Sequence, residues 1–71
     1  MRIHYTKHAH NRMEERRVSK ELVEMCLNSP DERYPDASDK LVYAKRVGDR
    51  LIRVIVKQKS INDYLIITVK D

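Results

Sequence analysis

The chain has 71 residues, enough for one domain over residues 1–71 but too few to enclose a large cofactor, so any site should be a shallow surface groove. Fifteen Lys/Arg against eleven Asp/Glu give a net charge of +4, which favours a polyanionic partner such as RNA, although ordinary surface solvation is an equal alternative. One cysteine excludes an internal disulfide, and no apolar run approaches the roughly 18 residues of a membrane span, so we expect a cytoplasmic protein without membrane contact.

The first half of the chain predicts a short strand followed by two helices. Arg2–Tyr5 alternates polar and apolar side chains, and Thr6 then offers an N-cap for a helix that runs to about Arg17. Ser19 offers the N-cap of a second helix, which ends before Pro30 because proline disfavours helical geometry in the residue before it. Since few residues separate the two helices, we expect them to form a helical hairpin.

The second half predicts a polar segment and then three strands. Residues 31–40 are polar, and an edge strand near Glu32–Tyr34 is an option that Pro35 limits. The hydrophobic period then changes to two along "KLVYAKRV", "RLIRVIVKQ" and "YLIITVK". Gly48-Asp49 joins the first two of these in a type II′ hairpin. The predicted order is β-α-α-β-β-β, an α+β domain with the helical hairpin packed on one face of a small antiparallel sheet.

The hairpin turn fixes the register of the strands beside it. Val47 then faces Arg50, and the pairs that follow turn one mostly apolar face toward the helices. The opposite face receives Arg46 and Arg53 and is basic. In the last strand, the alternation predicts that Leu65, Ile67 and Val69 join the core. It predicts that the basic face receives Tyr64, Ile66, Thr68 and Lys70.

Arg46 and Arg53 are the first candidates for a site. In the predicted register they are diagonal neighbours, about 7–8 Å apart at the backbone. Two guanidinium groups so placed repel each other unless an anion lies between them, and the oxygens of phosphate match the planar guanidinium fork. Two splayed, solvated side chains are an equal alternative.

His8 is the second candidate, because histidine transfers protons near neutral pH, as RNA cleavage requires. It lies one turn before Arg12 and two turns before Arg16, on the flank of the apolar stripe of the first helix. The commoner interpretation of this spacing is a structural histidine that bonds to the backbone or to Glu15.

No metal or cofactor site is predicted. His4 and His8 straddle the boundary between strand and helix, and His10 points elsewhere on the helix. CxxC and HExxH spacings are absent, and Gly48 is the only glycine, so there is no glycine-rich phosphate loop. Cys26 lies on the apolar face of the second helix and is expected to act as a small core hydrophobe.

The segment "TKHAHNRMEERRVSKELVEMCLNSPDE" resembles the family called domain of unknown function 4258, small prokaryotic proteins with a His-Ala-x-x-Arg-Met-x-x-Arg start. The matching residues here are His8, Ala9, Arg12, Met13 and Arg16. Residues 18–19 match the family's Ile-Ser, and residues 28–31 match its Asn-Pro-Asp with one residue inserted. The later strands also fit, at Arg53 and Thr68, so the resemblance covers nearly the whole chain.

The resemblance implies a fold similar to the RelE and ParE toxins of toxin–antitoxin systems. Many of those toxins are endoribonucleases that act on the ribosome or on free RNA, with a basic cleft on the sheet. The resemblance also implies a histidine of the first helix and polar strand residues as the active site. We therefore expect a small basic RelE-like toxin domain that acts on RNA as a metal-independent endoribonuclease.

In the expected active site, residues on the strands and on the first helix have different roles. Arg46 and Arg53 would hold the scissile phosphate and stabilise its added charge, while His8 would act as general acid or base. Thr68 or Tyr64 would position the sugar. The RNA backbone would be steered by Arg12, Arg16 and Lys57. The expected partners are RNA or the ribosome and an acidic antitoxin protein. The alternatives are a noncatalytic module that binds RNA or protein on the same face, and a homodimer formed by pairing of a sheet edge.

Overall fold

Two helices and five strands make up the fold, which a computed structural model describes over residues 1–71. The helices are α1 (Lys7–Arg16) and α2 (Lys20–Asn28). The strands are β1 (Arg2–Tyr5), β2 (Glu32–Pro35), β3 (Leu41–Val47), β4 (Arg50–Ser60) and β5 (Asp63–Lys70). The α+β class predicted from the sequence is confirmed.

The strands form one mixed sheet in the order β1-β5-β4-β3-β2. β1 lies parallel to β5, and every other pair of neighbours is antiparallel. The predicted all-antiparallel sheet is therefore wrong at one edge, because the first strand joins the sheet beside the last one through a connection that spans most of the chain. β2 adds a strand to the predicted order, and Pro35 is accommodated because it lies at the end of an edge strand.

Both helices begin at the predicted N-caps. The Thr6 hydroxyl accepts a hydrogen bond from the Ala9 N–H at 3.0 Å, and the Ser19 hydroxyl accepts one from the Leu22 N–H at 3.1 Å. Thr6 has a second role, because its hydroxyl also donates to the Ile67 carbonyl in β5 at 3.1 Å. This residue therefore ties the start of α1 to the sheet.

Replacing Thr6 with alanine is expected to lower the free energy of unfolding by about 1–3 kcal/mol, since both the cap and the bond to the Ile67 carbonyl are removed. Ser19→Ala is the matched control, because it removes a cap of the same kind without a second bond. Its expected cost is about 0.5–2 kcal/mol. Urea unfolding of both variants measures the difference, and a Thr6→Ala effect no larger than that of Ser19→Ala would contradict the tertiary role of Thr6.

The two helices pack against different strands and not against each other. α1 lies along β5, and α2 packs across β3 and β4. Because β1 ends at Tyr5, the second half of β5 has no strand beside it on that side, and α1 takes this place. The predicted helical hairpin is wrong in this respect. The connection has only three residues, but Arg17 adopts a left-handed conformation with φ of 54°, and each helix then buries its own apolar stripe against the sheet.

The predicted register of β3 and β4 is confirmed over its whole length. Val47 pairs with Arg50, Tyr43 with Val54, and the intervening residues follow. The turn has its only positive φ at Gly48, +64°, as a type II′ turn requires at its first central position.

β5 departs from the predicted alternation because it contains a bulge. Val56 pairs with Ile66 and Ile55 with Thr68, so Ile67 is an extra residue opposite β4. The side chains before the bulge therefore change face. Ile66 is fully buried in the core and Tyr64 is 8% exposed there, whereas both were predicted on the basic face.

The residues that follow the bulge keep the predicted orientation, so their side chains lie on the faces that the sequence predicts. Val69 lies in the core and Thr68 lies on the opposite face, as predicted, while Leu65 leaves the core that was predicted for it. The core itself lies between the helices and one face of the sheet. Its buried members are Ala9, Met13, Val18, Val23, Cys26, Leu27, Tyr43, Ile52, Val54, Val56, Tyr64, Ile66 and Val69.

Candidate functional site

The sheet has a second face, away from the core, which we call the open face because neither helix packs on it. Arg46 and Arg53 both lie there, since Arg46 pairs with Leu51 and Arg53 pairs with Ala44, while Ile52, from the pair that lies between these two, is buried in the core. The two arginines are therefore diagonal neighbours on adjacent strands, as the sequence predicts.

Neither of these guanidinium groups is neutralised by a carboxylate. No Asp or Glu oxygen lies within 4.0 Å of the side-chain nitrogens of Arg46 or Arg53, and all six ion pairs of the structure involve other residues. The Nε of Arg53 is buried and has no hydrogen-bond partner. A buried cationic donor without an acceptor is costly, and because this atom is closed to solvent, a ligand can satisfy it only after the side chain moves.

A pocket of about 200 Å³ lies beside Arg53 on the open face. Its apolar lining comes from Val42 and Ile55, each only 5% exposed although no core element covers them. The polar lining comes from Tyr34, Asp36, Arg53 and Lys70. An aromatic ring beside cations is the combination that proteins use for single-stranded nucleic acid.

Tyr34 and Asp36 are site residues that sequence reasoning missed. Tyr34 pairs with Val42, which lies on the open face, so the two side chains share that face. The tyrosine is 41% exposed. The available signal was the optional edge strand at Glu32–Tyr34, because its pairing with the next strand would have placed this ring.

Thr68 lies on the open face opposite Ile55 and diagonal to Arg53, as predicted. Its hydroxyl oxygen is buried and makes no hydrogen bond. The Thr68 hydroxyl oxygen and the Arg53 Nε are both closed to solvent, so a ligand such as a sugar phosphate can bond to them only if the surrounding side chains move.

Tyr64 is not part of this surface. The bulge at Ile67 turns it into the core, where its ring stands edge-on to that of Tyr43 at 6.2 Å between centroids. Burial raises the pKa of the Tyr64 hydroxyl, and the neighbouring Tyr43 raises it further. The predicted placement of Tyr64 on the basic face is therefore wrong, and this removes the basis for its predicted role in positioning the sugar.

His8 and Arg12 lie on the flank of α1 that faces away from α2. His10 contacts Tyr5, with ring centroids 5.4 Å apart, and Lys20 of α2 lies over the same tyrosine ring, so the His10 flank of α1 faces α2. His8 lies two residues before His10, about 200° around the helix, and shares its flank with Arg12. His8 is exposed, and the predicted bond to Glu15 does not form.

The three residues expected to steer RNA differ in their surroundings. Arg12 lies 3.7 Å from Glu15, and Lys57, on the open face, lies 3.8 Å from Asp39. Arg16 lies 4.0 Å from Asp71. The first two pairs involve exposed carboxylates, which compete weakly with RNA phosphates.

Arg16 also belongs to a structural cluster at the far end of α1. Arg50 donates to the Asp71 carboxylate through Nε at 2.8 Å and to the Arg16 carbonyl at 2.7 Å. A further bond of 3.4 Å reaches the Arg17 carbonyl. Arg50 thus satisfies the C-terminal carbonyls of α1 and joins this helix to the ends of β4 and β5.

The ionisable side chains form no group of the kind that binds metal. No group of three or more His, Cys, Asp or Glu side chains is placed to hold a metal ion. Cys26 is fully buried in the core, as predicted, and burial raises the pKa of its thiol. Neither helix has the length and apolar character needed to cross a membrane.

Comparison with known proteins agrees with the motif that α1 carries. A family model for a domain of unknown function, DUF4258, matches residues 5–71. The searches of curated proteins and of solved structures returned no match. The matched span contains both helices, strands β2 to β5 and every residue of the open face described above. The chain therefore belongs to the DUF4258 family.

Proposed function

We propose that this protein is a small RNA-directed domain, similar to the RelE and ParE toxins, that binds single-stranded RNA on its open face. The observation that carries the proposal is the pair Arg46 and Arg53, which lie diagonally on an uncovered sheet with no carboxylate within 4.0 Å. A surface of this kind is attractive to phosphate.

Binding would use three kinds of contact. The guanidinium groups of Arg46 and Arg53 hold one phosphate between them through their terminal nitrogens. Tyr34 offers its exposed ring to a base. Lys57 and Arg12 lie on either side of the arginine pair and contact the neighbouring phosphates of the RNA backbone. The affinity of such a surface falls as salt concentration rises, because phosphate contacts release counterions.

Cleavage is the second part of the proposal and rests on His8. The 2′-hydroxyl of the RNA would lose its proton to the His8 imidazole and attack the adjacent phosphorus. The bond to the 5′-oxygen then breaks, and that oxygen takes a proton from solvent. Arg46 and Arg53 stabilise the charge that develops on the phosphate oxygens, and Thr68 positions the sugar once its buried hydroxyl is uncovered by the bound RNA. No metal ion takes part in these steps.

Noncatalytic binding is the second candidate, and one observation favours it. His8 is exposed, and no hydrogen bond or ion pair holds its ring in one orientation. A general base normally needs a second group that fixes its tautomer and direction. In this form of the proposal the open face holds RNA, or an acidic protein partner, without reaction.

Incubation of the pure protein with end-labelled single-stranded RNA and a chelator is the experiment that separates the two candidates. The wild type and His10→Ala are expected to give products, while His8→Ala gives none. His10→Ala is the matched control, since it removes an exposed histidine from the other flank of α1. Salt-dependent binding without products from any variant would leave only the noncatalytic candidate. A wild type that neither binds nor cleaves RNA would contradict the proposed function.

A further inference from the structure

The pocket beside Arg53 has two chemically different ends, and this difference bears on which base it accepts. Arg53 and Lys70 supply cationic donors, whereas Asp36 supplies a carboxylate that accepts. No cation lies within 4.0 Å of the Asp36 carboxylate, so its oxygens are free for a ligand. The Asp36 N–H donates to the Lys40 carbonyl at 2.8 Å, which fixes the backbone position from which this side chain starts.

The size and lining of the pocket suit one flat heterocycle. Its volume of about 200 Å³ is below the roughly 300–1,000 Å³ typical of sites for larger ligands. Val42 and Ile55 supply apolar contact, and Tyr34 supplies a ring on which a base can stack. The polar groups at the rim of the pocket are then left to contact the edges of that base.

We propose that this pocket holds one guanine base of the bound RNA and that Asp36 determines this specificity; the inference rests on the proposed function. Guanine presents two adjacent donors, N1–H and the N2 amino group, which a carboxylate accepts with both oxygens. It also presents the acceptors O6 and N7, which arginine and lysine recognise. The pocket offers both complements, Asp36 for the donors and, for the acceptors, Lys70 together with the Arg53 N–H groups that do not contact the phosphate.

The other three bases place a lone pair where Asp36 needs a second donor. Adenine and cytosine each have one amino group beside an acceptor ring nitrogen, and uracil has one N–H between two carbonyl oxygens. Each would bring a lone pair against a carboxylate oxygen, and that repulsion adds to the absence of one hydrogen bond. Asp36 thus discriminates by rejecting the wrong bases as well as by binding the right one.

The test compares labelled RNA heptamers of uridine whose central base is guanine, adenine, cytosine, uracil or hypoxanthine, with binding measured by fluorescence anisotropy at one salt concentration. Guanine is expected to bind about 5- to 150-fold more tightly than the three other standard bases, the range for one bidentate contact. Hypoxanthine lacks the N2 amino group, so the affinity of its heptamer should lie between that of the guanine heptamer and those of the other three. Asp36→Asn is expected to abolish the preference, because an amide accepts through only one of its two atoms.

Asp49→Asn is the matched control, since it makes the same change in charge and shape at an exposed turn outside the pocket, and it should retain the preference for guanine. Equal affinity of the wild type for all five RNAs would overturn the assignment of Asp36 while leaving RNA binding intact. A preference that survives Asp36→Asn would overturn it too. Failure of the wild type to bind any of the heptamers would remove the proposed function and this inference together.

Discussion

Replacing Arg46 and Arg53 together with alanine is expected to weaken binding of single-stranded RNA by about 100-fold or more. Hydrogen bonds to charged groups contribute about 1.5–3 kcal/mol each, and the two guanidinium groups are the unneutralised donors at the centre of the open face. The logarithmic dependence of affinity on salt should also become shallower, by about 0.7 for each phosphate that the variant no longer neutralises.

Two further double variants separate the effect of net charge from that of the guanidinium groups. Lys7→Ala with Lys59→Ala removes the same amount of charge from exposed positions that form no ion pair, and we expect it to change the affinity only slightly. Arg46→Lys with Arg53→Lys keeps the charge but removes the planar fork, so its affinity should lie between the other two. Equal weakening by the alanine pair and by the Lys7/Lys59 pair would mean that only net charge matters and would contradict a specific phosphate site.

Replacing Ile66 with alanine is expected to lower the free energy of unfolding by about 2–5 kcal/mol, the usual cost of truncating a fully buried isoleucine. A chain of this length has about 4–10 kcal/mol in total, so the variant should be close to unfolding at room temperature. Leu65→Ala is the matched comparison, because Leu65 pairs with Lys57 on the open face and is only half-buried.

Urea unfolding of the two variants tests the bulge in β5 directly. Simple alternation through Val69 places Leu65 in the core and Ile66 outside it, so it predicts the opposite order of stability. A larger destabilisation by Leu65→Ala than by Ile66→Ala would therefore contradict the bulge at Ile67, and with it the position of Tyr64 in the core.

The parts of the fold that could be predicted are those that local sequence determines. Gly48 is the only glycine, and its turn defines the pairing of β3 with β4 residue by residue, which is why the shared face of Arg46 and Arg53 was predictable. Thr6 and Ser19 mark the two helix starts for a similar reason, since a capping side chain acts within three residues of itself.

The parts that could not be predicted depend on contacts between distant segments. Leu65, Ile66 and Ile67 are all apolar, so the pattern of polar and apolar residues does not indicate which side chain faces inward. A bulge within such a run cannot be recognised from the sequence. The parallel pairing of β1 with β5 joins the two ends of the chain, and four residues cannot specify their partner.

The candidate site divides in the same way. The arginine pair follows from one local turn, whereas the pocket needs β2 to pair with β3 before Tyr34 and Asp36 come near Arg53. The helices illustrate a related difficulty. Their short connection suggests a hairpin, but α1 lies along β5 beyond the end of β1, and the position that β1 leaves open there is not visible in the sequence of either helix.

The most direct test of the central claim is an NMR titration of the labelled protein with single-stranded RNA, observing backbone amides together with arginine Nε–H groups. If the unneutralised pair on the open face binds phosphate, the Nε–H signals of Arg46 and Arg53 should shift together with the amides of β3 and β4, and the signals of α2 should stay in place. Shifts confined to the helices, or none at all at RNA concentrations that saturate binding, would contradict it.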